Sequence, residues 1–275
     1  MAYKSSIFLL MPKLDPDALA YITAAGITNP TQISAVNTLF LNLKSNSLYT
    51  KLLAFYPFVG GTAFSHKFNA KDPRDLDAAF RLLFTGTFVH SSTGALPVGA
   101  AYANTYIIPS VNLTSTTDFE SCSFYSRTNT ATASSYSVGS FQTSRGLSCA
   151  LIPRRNANLR LFGSDYPTGT TSYRTANDNS GTDGRGFFVG SQNGTTLKLY
   201  YNGAVAASNT AVSTTNPSRS TFPIYLFGLN SNNTSVVQDD KECAFAHIGY
   251  KLTDAEVSTL RTIVQDFQTT LGRQV

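Results

Sequence analysis

The sequence predicts a mainly β protein, an antiparallel two-sheet sandwich with short N-terminal helices and one C-terminal helix. Three observations lead to this fold class. Short segments of alternating apolar and polar residues dominate the chain after residue 52, and clusters of Gly, Pro, Asn and Ser separate them. Charged residues make up only 13% of the 275 residues, about half of the usual ~25% share. Helical spacing of apolar residues occurs near the two ends.

The N-terminal part is predicted to hold two helices. Asp15 precedes a proline, and so does Asn29; a capping side chain followed by proline is typical of the start of a helix. We therefore predict that residues 1–51 form a helical docking segment. Residues 52–275 are predicted to form the sandwich domain together with its C-terminal helix.

The predicted strands are short and follow one another closely, which favours antiparallel pairing over βαβ units. The segments are LLAFYPFVG, AFSHKF, FRLLFTGTFVH, AYANTYIIP, ESCSFYSRTN, SSYSVGSFQT, LSCALIPR, NLRLFG, TSYRTA, PIYLFGL and CAFAHIGYK. In AFSHKF the residues Phe64, His66 and Phe68 alternate on one face, which predicts a strand.

A three-stranded meander and a final helix have clear local signals. Asn193-Gly194 and Asn202-Gly203 predict type I′ turns between three strands. Thr253 is followed three residues later by Glu256, the spacing of a capping box, and Gly272 predicts the helix end.

Charge and cysteine content exclude several classes of protein. The net charge is +5, but its basic residues are spread thinly, and the densest stretch, with Arg154, Arg155 and Arg160, does not predict nucleic-acid binding. The three cysteines are far apart and predict buried side chains rather than disulfides or zinc ligands. The apolar run at residues 7–11 is too short for a signal peptide or a membrane span, so we expect folding in a cytoplasm.

The segments LKLYYNGAVAAS, PIYLFGLNSNN and ECAFAHIGYKLTDAEVSTLRTIVQDFQTTLGR resemble laminin-G-like, concanavalin A-like domains of structural proteins of tailed bacteriophages. An upstream segment that begins at YPFVGG looks like the opening strands of these proteins, so the resemblance covers about residues 52–275. The matching residues are Tyr201, Asn202, Gly203, Phe245, Ile248, Gly249, Leu252, Glu256, Phe267, Leu271 and Gly272.

This resemblance implies a jelly roll in a virion, as capsid decoration, head fibre or tail component. Its implied partners are other capsid or tail proteins, and a homo-oligomer, most simply a trimer, is expected. The alternative is a glycan-binding module that recognises a host surface, because jelly rolls carry such sites on loops rich in aromatic and amide side chains. The residues predicted to contact a glycan or surface are Tyr166, Tyr173, Tyr200, Tyr201 and Asn202.

No enzymatic activity is predicted. A glycoside hydrolase of this fold needs paired carboxylates on one strand face, and Asp118 and Glu120 are the sole acidic pair at strand spacing before an apolar run. We interpret them as the solvent-facing start of a strand. His66, His90 and His247 fall in three separate contexts and predict neither a catalytic base nor a metal site.

One loop leaves a calcium ion open as an alternative to an ordinary turn. Asn177, Asp178, Asn179 and Asp183 supply oxygen atoms of the kind that calcium prefers, but Asx residues beside glycine also form common turns. No other cofactor is predicted.

Overall fold

The structure, a computed structural model, describes residues 14–114, 120–133, 135–165, 174–210 and 219–275. Helices α1 (Pro16–Ala24) and α2 (Pro30–Ser45) begin as predicted, because the side chains of Asp15 and Asn29 accept backbone N–H groups of the first turns. The short helices α3 (Ala63–His66) and α4 (Pro109–Asn112) lie within the strand region, and the final helix is α5 (Asp254–Thr270). Two 3₁₀ turns occupy Tyr49–Lys51 and Asp77–Ala79.

The described chain also contains fifteen strands. In chain order they are β1 (Leu52–Tyr56), β2 (Leu83–Ser91), β3 (Gly94–Asn104), β4 (Glu120–Ser126), β5 (Val138–Gln142), β6 (Gly146–Arg155), β7 (Leu159–Asp165), β8 (Thr175–Asp178), β9 (Gly186–Asn193), β10 (Thr196–Tyr201), β11 (Ala204–Asn209), β12 (Tyr225–Leu226), β13 (Gly228–Ser231), β14 (Ser235–Gln238) and β15 (Cys243–Tyr250).

The strands follow the order β11-β10-β9-β4-β15-β3-β12-β5-β6-β7-β8, with β1 beside β15, β2 beside β3, and β13 between β5 and β14. Every described pairing is antiparallel except that of β13 with β5. The first and last strands of this order approach each other, since Asn209 donates a hydrogen bond to the Thr175 carbonyl at 3.0 Å. The predicted antiparallel sandwich is therefore confirmed.

Two apolar cores hold three layers together. The inner core lies between the two halves of the strand order and contains Phe124, Leu151, Phe162 and Phe188, all fully buried. The second core lies on the opposite face of β4, β9, β10 and β15, where α1, α2 and α5 cover the sheet. The N-terminal helices thus share a core with the sandwich, and their predicted role in docking stays a prediction.

The capping box that begins α5 is confirmed. The Thr253 hydroxyl accepts the backbone N–H of Glu256 at 3.3 Å, and the Glu256 carboxylate accepts the backbone N–H of Thr253 at 2.8 Å. Among the described residues, no helix is long and apolar enough to cross a membrane.

The segment AFSHKF was predicted to be a strand, and this prediction is wrong. Residues Ala63–His66 form the single turn α3, because the Thr62 hydroxyl accepts the N–H of Ser65 at 3.1 Å and completes a capping box. A local capping pattern outweighs the alternation of Phe64 and His66 here, and it leaves Phe64 55% exposed.

The meander β9-β10-β11 is confirmed, but one of its turns differs from the prediction. Asn202 and Gly203 have φ values of 50° and 84°, as a type I′ turn requires. In the first hairpin Asn193 pairs with Thr196, so the two-residue loop is Gly194-Thr195 and begins with Gly194 at a φ of 57°. Glycine at the first loop position is typical of a type II′ turn.

The Arg273 side chain ties the C-terminal end to the sheet from a fully buried position. Its guanidinium donates hydrogen bonds to the carbonyls of Pro57 at 2.6 Å, Phe58 at 2.8 Å and Ala244 at 2.9 Å. A fourth bond, to the Gln268 side chain, measures 2.5 Å. One side chain thus satisfies buried carbonyls from the segment after β1 and from β15.

We expect the substitution Arg273→Met to lower the free energy of unfolding by about 3 kcal/mol or more, because the Pro57 and Phe58 carbonyls lose this buried donor and the Ala244 carbonyl keeps only a bond from Gln268. Urea unfolding measures this change. Arg74→Met is the matched control, since Arg74 is 64% exposed, and its effect should stay within about 0.5 kcal/mol. Equal effects of the two substitutions would contradict a structural role for the buried guanidinium.

Candidate functional site

Of the five residues predicted to contact a glycan, the three that the structure describes do not converge on one surface. Tyr200 is 1% exposed and faces the helices, whereas Tyr201 faces the opposite way and packs on the inner core. Asn202 uses its side-chain oxygen to accept the N–H of Phe187 at 2.9 Å within the turn. Tyr166 and Tyr173 lie outside the described residues. A glycan contact by these five residues stays a prediction.

The Tyr201 ring is held between charged and aromatic neighbours. It stacks on Phe188, with ring centroids 5.0 Å apart, and the Arg160 guanidinium lies 3.9 Å from its centroid. Cation–π contact of this kind stabilises the inner side of the meander. Tyr201 therefore has a structural role in the described surroundings.

Tyr200 contributes to a small polar cavity between the meander and the start of α5. Its hydroxyl donates to Asp254 at 2.8 Å, and the Lys198 ammonium binds the same carboxylate at 2.8 Å. These two hydrogen bonds hold the pKa of Asp254 below its ordinary value, while burial raises the pKa of Tyr200. The cavity has a volume of about 110 Å³, below the ~300–1,000 Å³ of typical ligand pockets.

A larger cavity of about 530 Å³ lies beside β14, and we call it the β14 groove. The lining residues come from β3, from the loop before β5, and from β14 with the turn that follows it. They are Pro97, Gly99, Ala100, Thr132, Val236, Val237, Gln238, Asp239 and Asp240. Its volume is in the range of ~300–1,000 Å³ that is typical of ligand pockets.

The lining of the β14 groove combines apolar and polar residues. Pro97, Val236 and Val237 are apolar, whereas Gln238 and Asp240 supply amide and carboxylate groups. Asp240 is 38% exposed, and Gln238 is exposed as well, so both reach solvent.

A buried lysine holds the Asp240 carboxylate of the groove in place. The Lys241 ammonium is fully buried and binds Asp239 at 2.9 Å and Asp240 at 3.2 Å. Burial acts to raise the pKa of Asp240, but hydrogen bonds from Thr130, Thr132 and Lys241 outweigh it, and the pKa lies below its ordinary value. Asp240 is therefore an ionised acceptor held in one orientation.

The interpretation of Glu120 as a solvent-facing residue is wrong. Glu120 is 1% exposed, and one of its oxygens accepts the N–H of Cys149 at 2.6 Å and the hydroxyl of Ser164 at 2.5 Å. The cause is the face of β4 on which Glu120 lies, since it alternates with Cys122 and Phe124 of the inner core and faces β6 and β7. Asp118 lies outside the described residues.

The expectation that the three histidines are separate is wrong for two of them. The Nδ1 atoms of His66 and His90 are 3.0 Å apart, which joins α3 to β2 through one hydrogen bond. Burial and the neighbouring His90 and Arg273 lower the pKa of His66 to about 3. Sequence spacing could not show this pairing, because the turn α3 was predicted as a strand.

His247 is a fully buried histidine with both ring nitrogens bonded. The Ser121 hydroxyl donates to the Tyr250 carbonyl at 2.6 Å, so it accepts from His247 Nε2 at 3.1 Å. The Ser123 hydroxyl then donates to Nδ1 at 2.6 Å. Protonation of Nδ1 would oppose this bond, and burial lowers the pKa of His247 to about 3.

The carboxylates of the predicted calcium loop bind arginines. Asp178 accepts a hydrogen bond from Arg160 at 3.2 Å, and Asp183 pairs with Arg185 at 3.0 Å. Guanidinium partners occupy the oxygens that a calcium ion would need, so these residues do not fit a calcium site. Across the described ranges, no group of three or more His, Cys, Asp or Glu side chains could hold a metal ion.

The three cysteines are free and buried, as predicted. Burial raises the pKa values of Cys149 and Cys243 well above the ordinary range. These thiols are therefore protonated and sealed from solvent, which is the opposite of the environment of a reactive cysteine.

Solved structures share this fold. One, described as showing that cell entry of botulinum neurotoxin type C depends on interaction with two ganglioside molecules, aligns with a TM-score of 0.51 at 12% identity, over 80% of this chain and 53% of that chain. The receptor-binding domain of a botulinum neurotoxin C/D mosaic serotype aligns with a TM-score of 0.51 at 11% identity, over 78% and 51%.

A third structure, domain 4 of AbnA, an extracellular GH43 arabinanase from Geobacillus stearothermophilus in complex with arabinotriose, has a TM-score of 0.48 at 16% identity, over 76% of this chain and 98% of that chain. No protein-family model and no curated protein matches the sequence. The likeness to the neurotoxin domains shows the jelly-roll fold. None of these three structures supports the predicted phage origin.

We expect the free energy of unfolding to fall at mildly acidic pH, above the pH range in which carboxyl groups titrate. His66 and His247 have native pKa values of about 3 against the ordinary 6.5, so the unfolded chain binds more protons between these values. Stability should fall below pH 6.5 by about 1.4 kcal/mol per pH unit for each histidine. Urea unfolding at pH 7.5 and pH 5.0 measures the loss.

The substitution His247→Gln should remove about half of this pH dependence, because it deletes one of the two buried titrating groups. An unchanged difference between pH 7.5 and pH 5.0 in the variant would show that His247 is not buried in its neutral form.

Proposed function

We propose that this chain is a glycan-binding domain and that the β14 groove is its binding site. The observation that carries the proposal is a cavity of about 530 Å³ whose lining includes both apolar side chains and exposed polar groups. A sugar ring presents apolar C–H groups on its faces and hydroxyl groups at its edge, and this groove matches both. The botulinum neurotoxin C structure of the same fold is described in terms of ganglioside interaction.

The polar and the apolar lining residues have distinct roles in this proposal. The Asp240 carboxylate accepts hydrogen bonds from sugar hydroxyls, and the Gln238 amide both donates and accepts. The half-buried Val236 side chain contacts the apolar face of the ring. The buried Lys241 keeps Asp240 in place, so little side-chain entropy is lost when a sugar binds.

We propose binding without hydrolysis at this groove. Glycoside hydrolysis uses two carboxyl groups about 5 to 10 Å apart that both reach the scissile bond. Asp239 is fully buried, paired with Lys241 and hydrogen-bonded by the Ser137 hydroxyl, so Asp240 alone faces a ligand in the groove. Glu120 is sealed inside the sandwich.

We expect a glycan array to identify bound saccharides, and titration calorimetry to give their affinity. The substitution Gln238→Ala should weaken binding about fivefold, and Asp240→Asn at least tenfold, since the second removes a charged acceptor. Incubation with the same glycans should release no new reducing ends.

Asp183→Asn is the matched control, because it neutralises a carboxylate paired with Arg185 outside the groove. It should leave affinity unchanged. Binding that survives Asp240→Asn but is lost on substitution of Tyr201 would move the site to the meander. Release of reducing ends would contradict the absence of hydrolysis.

The second candidate is the one that the sequence resemblance implies, a structural subunit of a phage virion. The observation in its favour is an uncharged surface on β2 and β3, which suits permanent contact with another protein better than solvent does.

If this second candidate holds, the chain is an abundant component of purified particles of the virus that encodes it. Quantitative mass spectrometry of such particles should then find it at a copy number comparable to that of a capsid or tail protein. Its absence from the particles would remove this candidate and leave the glycan-binding proposal intact.

A further inference from the structure

Strand β2 has an open edge. Within the described part of the chain it pairs with β3 alone. It is nine residues long, longer than the usual five or six, and spans about 30 Å. Proteins usually protect such an edge with Lys, Pro or a bulge. β2 contains no Lys or Pro and has one bulge, at Gly86.

The outer face beside this edge is apolar. Leu83 is 45% exposed, Val89 53% and Val98 47%, and the register places all three on the face away from Phe84 and the inner core. From residue 82 to residue 114 the sequence contains no Asp, Glu, Lys or Arg. Exposed aliphatic side chains on an uncharged edge are typical of an interface.

Two other edge strands, β11 and β14, have charged residues nearby. Strand β11 also exposes an aliphatic residue, Val205 at 48%, but Arg261 of α5 packs against its Gly203 turn, and Lys198 lies on the adjacent strand. Strand β14 runs directly into Asp239 and Asp240. Compared with β11 and β14, β2 therefore combines greater length, exposed aliphatic side chains and the absence of charge.

We propose that two copies of this chain pair through β2, antiparallel about a twofold axis. Residues 82–114 contain no Asp, Glu, Lys or Arg, so contact between two copies at β2 brings no like charges of this segment together, although each chain has a net charge of +5. Antiparallel pairing of a strand with itself is self-complementary: the open N–H and C=O groups of one β2 bond those of the other. Leu83, Val89 and Val98 then lose exposure on both copies.

The first test is sedimentation equilibrium of the full chain. We expect a mass twice the 29.6 kDa of one chain. The double substitution Thr85→Lys and Val89→Lys places two charges on the edge and should give the mass of one chain. Val205→Lys on β11 is the matched control, with the same chemistry and similar exposure, and should remain dimeric.

Disulfide trapping is the second test, and a positive result does not depend on disrupting the interface. Thr85→Cys, Thr87→Cys and Val89→Cys are prepared singly; the three native cysteines are buried, so the introduced thiol alone is accessible. At least one variant should form a covalent dimer under mild oxidation, and Val205→Cys should not. A wild-type chain that sediments as a monomer, a lysine variant that stays dimeric, or no trapping at all three positions would each overturn the proposal.

Discussion

The buried Arg273 guanidinium is the constraint on which the arrangement of the layers depends. It lies just beyond α5 and binds carbonyls that follow β1 and that belong to β15, so it joins helix, loop and sheet at one point. Buried carbonyls need hydrogen-bond donors, and this one side chain supplies a donor to each of the three. The helical layer is thus fixed to the sandwich by a polar contact as well as by apolar packing.

The sequence predicted those features that depend on neighbouring residues. The Thr253 and Glu256 capping box, the Asn202-Gly203 turn and the two proline-initiated helices are all decided within four residues, and all are confirmed. The error at residues 63–66 has the same origin, since a capping box there was read as strand alternation.

The features that the sequence did not predict depend on which strands become neighbours. Glu120 is buried because β6 and β7 cover its face of β4, and its own segment does not show which strands these will be. The β14 groove combines residues near positions 97, 132 and 238, which are brought together by the order of the strands. The strongest local signals for a site, the tyrosines of the meander, mark packing positions instead.

Strand β3 has a double role that affects how strongly the protein could hold a surface. Its residues Pro97, Gly99 and Ala100 line the β14 groove, and its other edge supports β2. In a dimer joined through β2, each groove is one strand away from the interface, so the two grooves belong to one rigid body. Two weak sites linked in this way bind a surface that displays many copies of a saccharide far more tightly than either site alone, often by about 10² to 10⁴. A single free saccharide would gain nothing, so the protein would discriminate dense glycan coats from soluble sugars by valency.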